Sequence, residues 1–193
     1  STRANVGSCC RVYEGDNVKI EVWHEAGYEQ ALIGLSLSYK QPVKKMPEVA
    51  ERLYHKNGGH NKFLESIIVW FDITAARYWW QQFDTYRIGV TKQSESTMHT
   101  ILKRPLSQDD FEGEIDPATL ARLNALIAAK EFAQVKRELP ESFLQRRVVC
   151  TNYKTLRRMI KQRRTHRLHE WQLFCGAMQE QLTHAQFLSD CYE

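Results

Sequence analysis

Ser66-Ile67-Ile68-Val69-Trp70-Phe71-Asp72-Ile73-Thr74 decides how this chain is read. Its β-branched and aromatic residues suit a pleated, packed surface. The residues are apolar on both alternating sets until Asp72, so a well-buried strand is expected. The stretch 75–85 that follows is helical in character and carries Tyr78, Trp79, Trp80 and Phe83. These rings are expected in the core and in subunit contacts rather than in a base-stacking platform. Upstream, Val18-Lys19-Ile20-Glu21-Val22 alternates apolar and charged residues, the pattern of a half-buried strand.

Outward from these strands the chain reads as helical. Residues 47–54 suggest a short helix stopped by Asn57-Gly58-Gly59. Residues 88–100 are rich in Ser and Thr without a period and read as a loop. Asp116-Pro117 opens a helix with an N-cap carboxylate and a first-turn proline, and Leu120, Leu123 and Ile127 space its apolar face. A short helix is expected over 130–137. Asn152 caps another that runs to 163, with Leu156, Met159 and Ile160 inward. Helices over 168–181 and 183–191 complete the chain. The pattern is α+β, a single domain over 1–193 with few strands and a helical C-terminal half.

Bulk properties narrow the function classes. With 193 residues the chain can bury a sizeable core, and 42% hydrophobic with 26% charged residues is an ordinary globular balance. No apolar run reaches the ~20 residues that span a bilayer. The first residues lack the apolar centre of a signal peptide, so the cytoplasm is the expected compartment and no membrane partner is expected. Five scattered cysteines, among them the adjacent pair Cys9-Cys10, show neither a disulfide framework nor metal-ligand spacing, and no metal is expected. The net charge is only +4, yet residues 144–169 hold nine Lys and Arg and no carboxylate. A basic block in a folded segment implies an anionic partner.

Gly59-His60-Asn61-Lys62-Phe63-Leu64-Glu65-Ser66, followed by the strand and the aromatic helix, resembles the Gly-His and Leu-Glu-His element of the flavin-dependent thymidylate synthases. Gln82-Phe83-Asp84-Thr85-Tyr86-Arg87-Ile88 lies at the distance of that family's Arg-His-Arg motif. Leu139-Pro140 with Arg146 resembles its Leu-Pro…Arg segment. Asn152-Tyr153-Lys154-Thr155-Leu156, ending in Arg163 and followed by Glu170-Trp171, resembles its Asn-Ala-Arg-x-Leu helix and Trp-Glu pair. The resemblance covers roughly 59–98 and 139–179. It implies an α+β fold with a small antiparallel sheet, a homotetramer whose active sites form between subunits, and FAD as cofactor. NADPH and methylenetetrahydrofolate would be co-substrates in converting dUMP to dTMP.

The resemblance also implies roles for single residues. Arg163 would contact and polarise the pyrimidine, work that suits a permanently charged fork of donors. Gln82 would contact the same substrate, and Arg146 would hold its phosphate from a neighbouring subunit. Tyr86, Arg87, Asn152, Lys154 and His60 would line the flavin, with Arg158 and His166 on its side of the site. Glu65 reads as a local backbone cap.

The chain also departs from the family pattern. Thr85 and Tyr86 replace the first two residues of Arg-His-Arg, Lys154 stands for an Arg, Glu95 falls at a substrate-binding Ser, and Thr97 falls at a phosphate-binding Arg. A carboxylate gained and a guanidinium lost oppose a phosphate dianion. Three functions therefore stand open at this point. The chain is a synthase acting on dUMP or an altered pyrimidine nucleotide, a family member keeping the fold or flavin without that activity, or a nucleic-acid-binding module using Lys154, Arg157, Arg158 and Lys161 as a basic stripe.

Overall fold

In the computed structural model, which describes residues 18–189, the deciding stretch becomes a central strand of a four-stranded antiparallel sheet. The strands are β1 (Lys19–Ala26), β2 (Ile68–Ala76), β3 (Val90–Ser94) and β4 (Leu144–Asn152), in the order β1-β2-β4-β3. Val69, Phe71, Ile73 and Ala75 are fully buried, whereas Ile68, Trp70, Asp72 and Thr74 are half-buried. Burial of β2 is thus complete on one face only. The other face continues across the register through Glu21 and Asp72 to Val148, and through Trp70 to Cys150.

The helices are α1 (Tyr28–Tyr39), α2 (Met46–Leu53), α3 (Arg77–Phe83), the single turn α4 (Thr97–Thr100), α5 (Pro117–Ala128), α6 (Phe132–Glu138), α7 (Tyr153–Arg163) and α8 (His169–Gln181). Of these, α1, α2, α3, α7 and α8 contribute side chains to the core over the first face. Trp79, Trp80, Phe83, Trp171 and Phe174 are all buried in one aromatic cluster behind β2. The indoles of Trp79 and Trp171 lie 4.7 Å apart and Phe83 stacks on Trp171 at 6.0 Å. A second apolar cluster joins α5 and α6 through Leu123, Ile127, Val135, Phe111 and Phe143.

Local chemistry sets the helix starts that the sequence announced. The Asp116 carboxylate accepts from the Thr119 amide at 2.8 Å and Asn152 Oδ1 accepts from the Thr155 amide at 2.9 Å, as N-caps should. Three expectations need correction. Residues 88–100 are not a loop throughout, because β3 pairs with β4 and α4 follows it. The 183–191 segment holds only a 3-10 turn, Ala185–Leu188, up to the end of the described residues. The helix placed at 130–137 begins at Phe132. The sequence reading also passed over α1 and β4. Cys9, Cys10 and Cys191 lie outside the described residues, and no described helix is long and apolar enough to cross a membrane.

One turn depends on glycine. Gly27, between β1 and α1, has φ +98°, and a Cβ there would lie 2.1 Å from the Ser66 carbonyl oxygen. The chain passes too close for any side chain.

Candidate active site

Helices α3 and α7 end beside each other, and the residues named from separate sequence segments meet there. Arg163, in the last turn of α7, donates from Nε to the Tyr86 hydroxyl at 3.0 Å and from one terminal nitrogen to Gln82 Oε1 at 3.2 Å. Trp171 Nε1 donates to the same Gln82 oxygen at 2.9 Å. The guanidinium lies over the Trp171 ring at 4.8 Å and over the Tyr86 ring at 5.6 Å. Tyr86 is buried and donates to Gln162 at 2.8 Å. Arg163 has no carboxylate partner among the described residues, so its charge is left for something else to neutralise.

A cleft of about 560 Å³ opens at the N-terminal end of α7, lined by Glu65, Gly89, Asn152, Lys154, Arg158 and Lys161 among others. Gly89 holds its wall in place. It has φ +73°, its carbonyl accepts from the Thr151 hydroxyl at 2.7 Å, and a Cβ would lie 2.6 Å from Thr155 Oγ1 and 2.9 Å from Asn152 Nδ2. Only glycine lets the 86–90 segment approach the start of α7 this closely. Arg87 and Ile88 are exposed on that segment. Helix N-terminal amides with clustered cations suit an anion such as a dinucleotide pyrophosphate.

Each residue anticipated for the flavin has a definite place. Asn152 is both the cap of α7 and part of the cleft. Lys154 reaches the cleft but its amine is bound to Glu65 at 2.5 Å, so Glu65 is an ion-pair partner rather than a backbone cap. Arg158 lies over the Tyr86 ring at 5.9 Å and links the cleft to the Arg163 cluster. His60 lines a neighbouring groove of about 750 Å³ that shares Glu65 with the cleft. His166 accepts from the Leu168 amide at 3.1 Å and sits 6.4 Å from the Trp171 ring. Arg157 is not part of an exposed basic stripe. It is buried, lies over Tyr54 at 5.1 Å, and donates to the carbonyls of Phe187 at 3.2 Å and Ser189 at 2.6 Å.

The phosphate-side residues lie elsewhere. Arg146 points from the sheet face opposite the aromatic cluster and binds Asp72 at 2.6 Å. Its neighbour Arg147 turns inward, over Trp80 at 4.4 Å, and shares Asp84 with Lys92 at 3.0 and 2.7 Å. Partial burial favours a protonated Asp84, but the bonds from Lys92 and Arg147 outweigh it and hold the carboxyl below its usual range. Glu95 is exposed at the rim of a small pocket of about 100 Å³ that also contains Thr97, Arg104 and Gln145. Thr97 is buried, and its hydroxyl takes a 2.6 Å bond from Lys136 of α6. Burial, and then the charge of Arg77, lower the Lys136 pKa. The sequence reading missed Lys136 entirely. Among the described residues no group of three His, Cys, Asp or Glu could hold a metal ion.

No protein-family model matches the chain, and no curated protein matches it by sequence. Solved structures do. Two crystal structures of the flavin-dependent thymidylate synthase ThyX from Helicobacter pylori, both with FAD and dUMP, superpose with a TM-score of 0.75 and 18% identity. The match covers 90% of this chain and 99% or 98% of theirs. The fold is therefore ThyX-like.

Proposed function

We propose that this chain is a thymidylate synthase-like flavoprotein that binds FAD in the α7 cleft and a pyrimidine nucleotide, dUMP or a variant of it, at Gln82 and Arg163. One observation carries the reading. Within a ThyX-like fold, Gln82, Tyr86, Arg163 and Trp171 come from three separate segments and bond to one another. Bound FAD would supply hydride transfer, with NADPH and methylenetetrahydrofolate as co-substrates. Arg87, Asn152, Lys154 and Arg158 would hold its phosphates and ring, with His60 at the adjoining groove, while Arg163 and Gln82 orient the pyrimidine. The Gly89 cradle and Arg158, which has no carboxylate partner among the described residues, fit an anionic cofactor.

Absorbance of the purified protein tests this directly. Flavin bands at about stoichiometric yield, shifted on adding dUMP, are the expected result, and a colourless protein that takes up no added FAD refutes it. Arg87→Ala should lower FAD affinity about tenfold, the loss of one charge-assisted bond. FAD titration of that variant measures it.

A second reading is favoured by the Glu95 rim and the buried Thr97, which depart from a phosphate-binding Ser and Arg. In that reading the fold and flavin persist and the synthase step does not. Nucleic-acid binding loses support from the burial of Arg157, which removes one cation from the stripe it needs.

We further propose that the chain assembles as a homotetramer. Trp23 is 48% exposed on β1, Trp70, Val148 and Cys150 lie half-buried on the outer sheet face, and Arg146 lies exposed on that same face. Covering such a face should bury more than the ~1,600 Å² of a standard pair interface. Light scattering at micromolar concentration is expected to give a mass of four chains; a monomer there excludes a site shared between subunits.

A further inference from the structure

The amide of Gln82 is locked in one orientation. One of its two terminal atoms receives bonds from Trp171 Nε1 at 2.9 Å and from Arg163 at 3.2 Å. An indole N–H and a guanidinium can only donate, so the atom between them must be the carbonyl oxygen. The usual ambiguity of amide orientation disappears. The other end, the NH₂ group, makes no hydrogen bond among the described residues, and Gln82 is only half-buried. The site therefore presents a donor and no acceptor at this point.

Of the two clamps, Trp171 is the permanent one. It is fully buried, stacked on Phe83 at 6.0 Å and packed against Trp79 at 4.7 Å, so it cannot itself touch a ligand. Arg163 is half-buried and can turn towards a substrate. We propose that Trp171 is a positioning residue that fixes Gln82 to donate to a ligand carbonyl, the 4-oxo group of a uracil-type pyrimidine. A fixed amide discriminates only where alternative ligands offer an acceptor or a donor, and between uracil and cytosine that happens at N3 and at C4. A locked donor favours uracil only at C4, oxo in uracil and amino in cytosine, whereas at N3 it would favour the bare nitrogen of cytosine. Facing an amino group, the locked NH₂ would leave two donors opposed, the arrangement by which a hydrogen-bonding site rejects an analogue most strongly. The inference rests on the pyrimidine-nucleotide reading and adds the edge that is recognised.

The test compares dUMP with dCMP, both dianions, so that charge effects cancel in the ratio of affinities. Flavin-loaded wild type is expected to prefer dUMP at least tenfold. Trp171→Phe keeps a ring against Phe83 but frees the amide to turn, and the preference should shrink at least fivefold. Gln82→Glu keeps an oxygen for both Trp171 and Arg163 but removes the donor, and the preference should reverse towards dCMP. Flavin content and melting temperature are followed in each protein, so that a variant that fails to fold leaves the other to decide. A purely structural role would weaken both nucleotides equally and leave the ratio unchanged, which overturns the proposal while the nucleotide reading survives. A wild type that loads flavin but binds neither nucleotide overturns both.

Discussion

Replacing Arg163 with Met is expected to weaken dUMP binding about a hundredfold, roughly 2.8 kcal/mol, with flavin content unchanged. The side chain is half-buried and makes two hydrogen bonds to neutral partners, Tyr86 and Gln82, and none to a carboxylate among the described residues. A guanidinium held this way, over two aromatic rings, keeps its charge and its remaining N–H groups for a ligand. Charge-assisted hydrogen bonds are worth about 1.5–3 kcal/mol each, so a single bond to the pyrimidine accounts for the effect. Met preserves much of the packing against Trp171, which separates lost recognition from lost folding. Arg163→Lys keeps the charge without the planar fork and should fall between the two. Calorimetric titration of the three proteins at one salt concentration checks the order. Binding by Arg163→Met within twofold of wild type would reduce Arg163 to a clamp for Gln82.

The parts of the structure that were legible in the sequence are those fixed by local chemistry. The Asp116 and Asn152 caps lie where their side-chain oxygens can reach an amide three residues on, a relation visible in the chain itself. β1 alternates and β2 is β-rich, so both stood out. The missed elements carry no such mark. In α1, Ala31-Leu32-Ile33-Gly34-Leu35-Ser36-Leu37 alternates like a strand because apolar residues surround the helix, and Ile33 and Leu37 stay exposed at 48% and 74%. β4 contains Arg146-Arg147, which breaks its pattern, yet each arginine finds a carboxylate across the fold, Asp72 on one face and Asp84 on the other. β3 is polar because it is an edge, and only its pairing with β4 defines it.

The site divides in the same way. Gln82 and Arg163 could be named from motif spacing, but their contact, across a separation of 81 positions, is a tertiary fact. The bond from Trp171 to Gln82 is another, since nothing in Glu170-Trp171 says where the indole points. Arg157 misled because its spacing from Lys154 and Lys161 fits one helical face, while the Ala185–Leu188 turn covers that edge of the helix. Lys136 left no signal. It lies in a polar seven-residue helix, and its reach to Thr97 depends on how α6 packs.

That contact changes what the altered loop should do. An arginine placed at position 97 would enter a buried spot already occupied by the Lys136 amine, 2.6 Å from Thr97 Oγ1. The more informative variants are therefore Glu95→Ser and Lys136→Met. Lys136 has no carboxylate partner among the described residues, whereas the neighbouring cations Arg104, Arg77 and Arg146 are already paired, with Asp110, Glu141 and Asp72. A phosphate dianion at this rim would be repelled by Glu95 and attracted by Lys136. At about 8 Å and an effective dielectric of about 20, each protein charge contributes roughly 4 kcal/mol against the dianion before salt screening. With screening, Glu95→Ser is expected to tighten dUMP about tenfold and Lys136→Met to weaken it about tenfold, a hundredfold spread between the two. Deoxyuridine, which lacks the phosphate, should bind both variants as it binds wild type. Because burial and Arg77 lower the Lys136 pKa, its contribution should fade with rising pH sooner than an ordinary lysine's would. Titrations of dUMP and deoxyuridine, repeated at two salt concentrations, decide the matter. Equal dUMP affinity in wild type and both variants would mean that the phosphate is held away from this loop, and the Glu95 substitution would then be no obstacle to synthase activity.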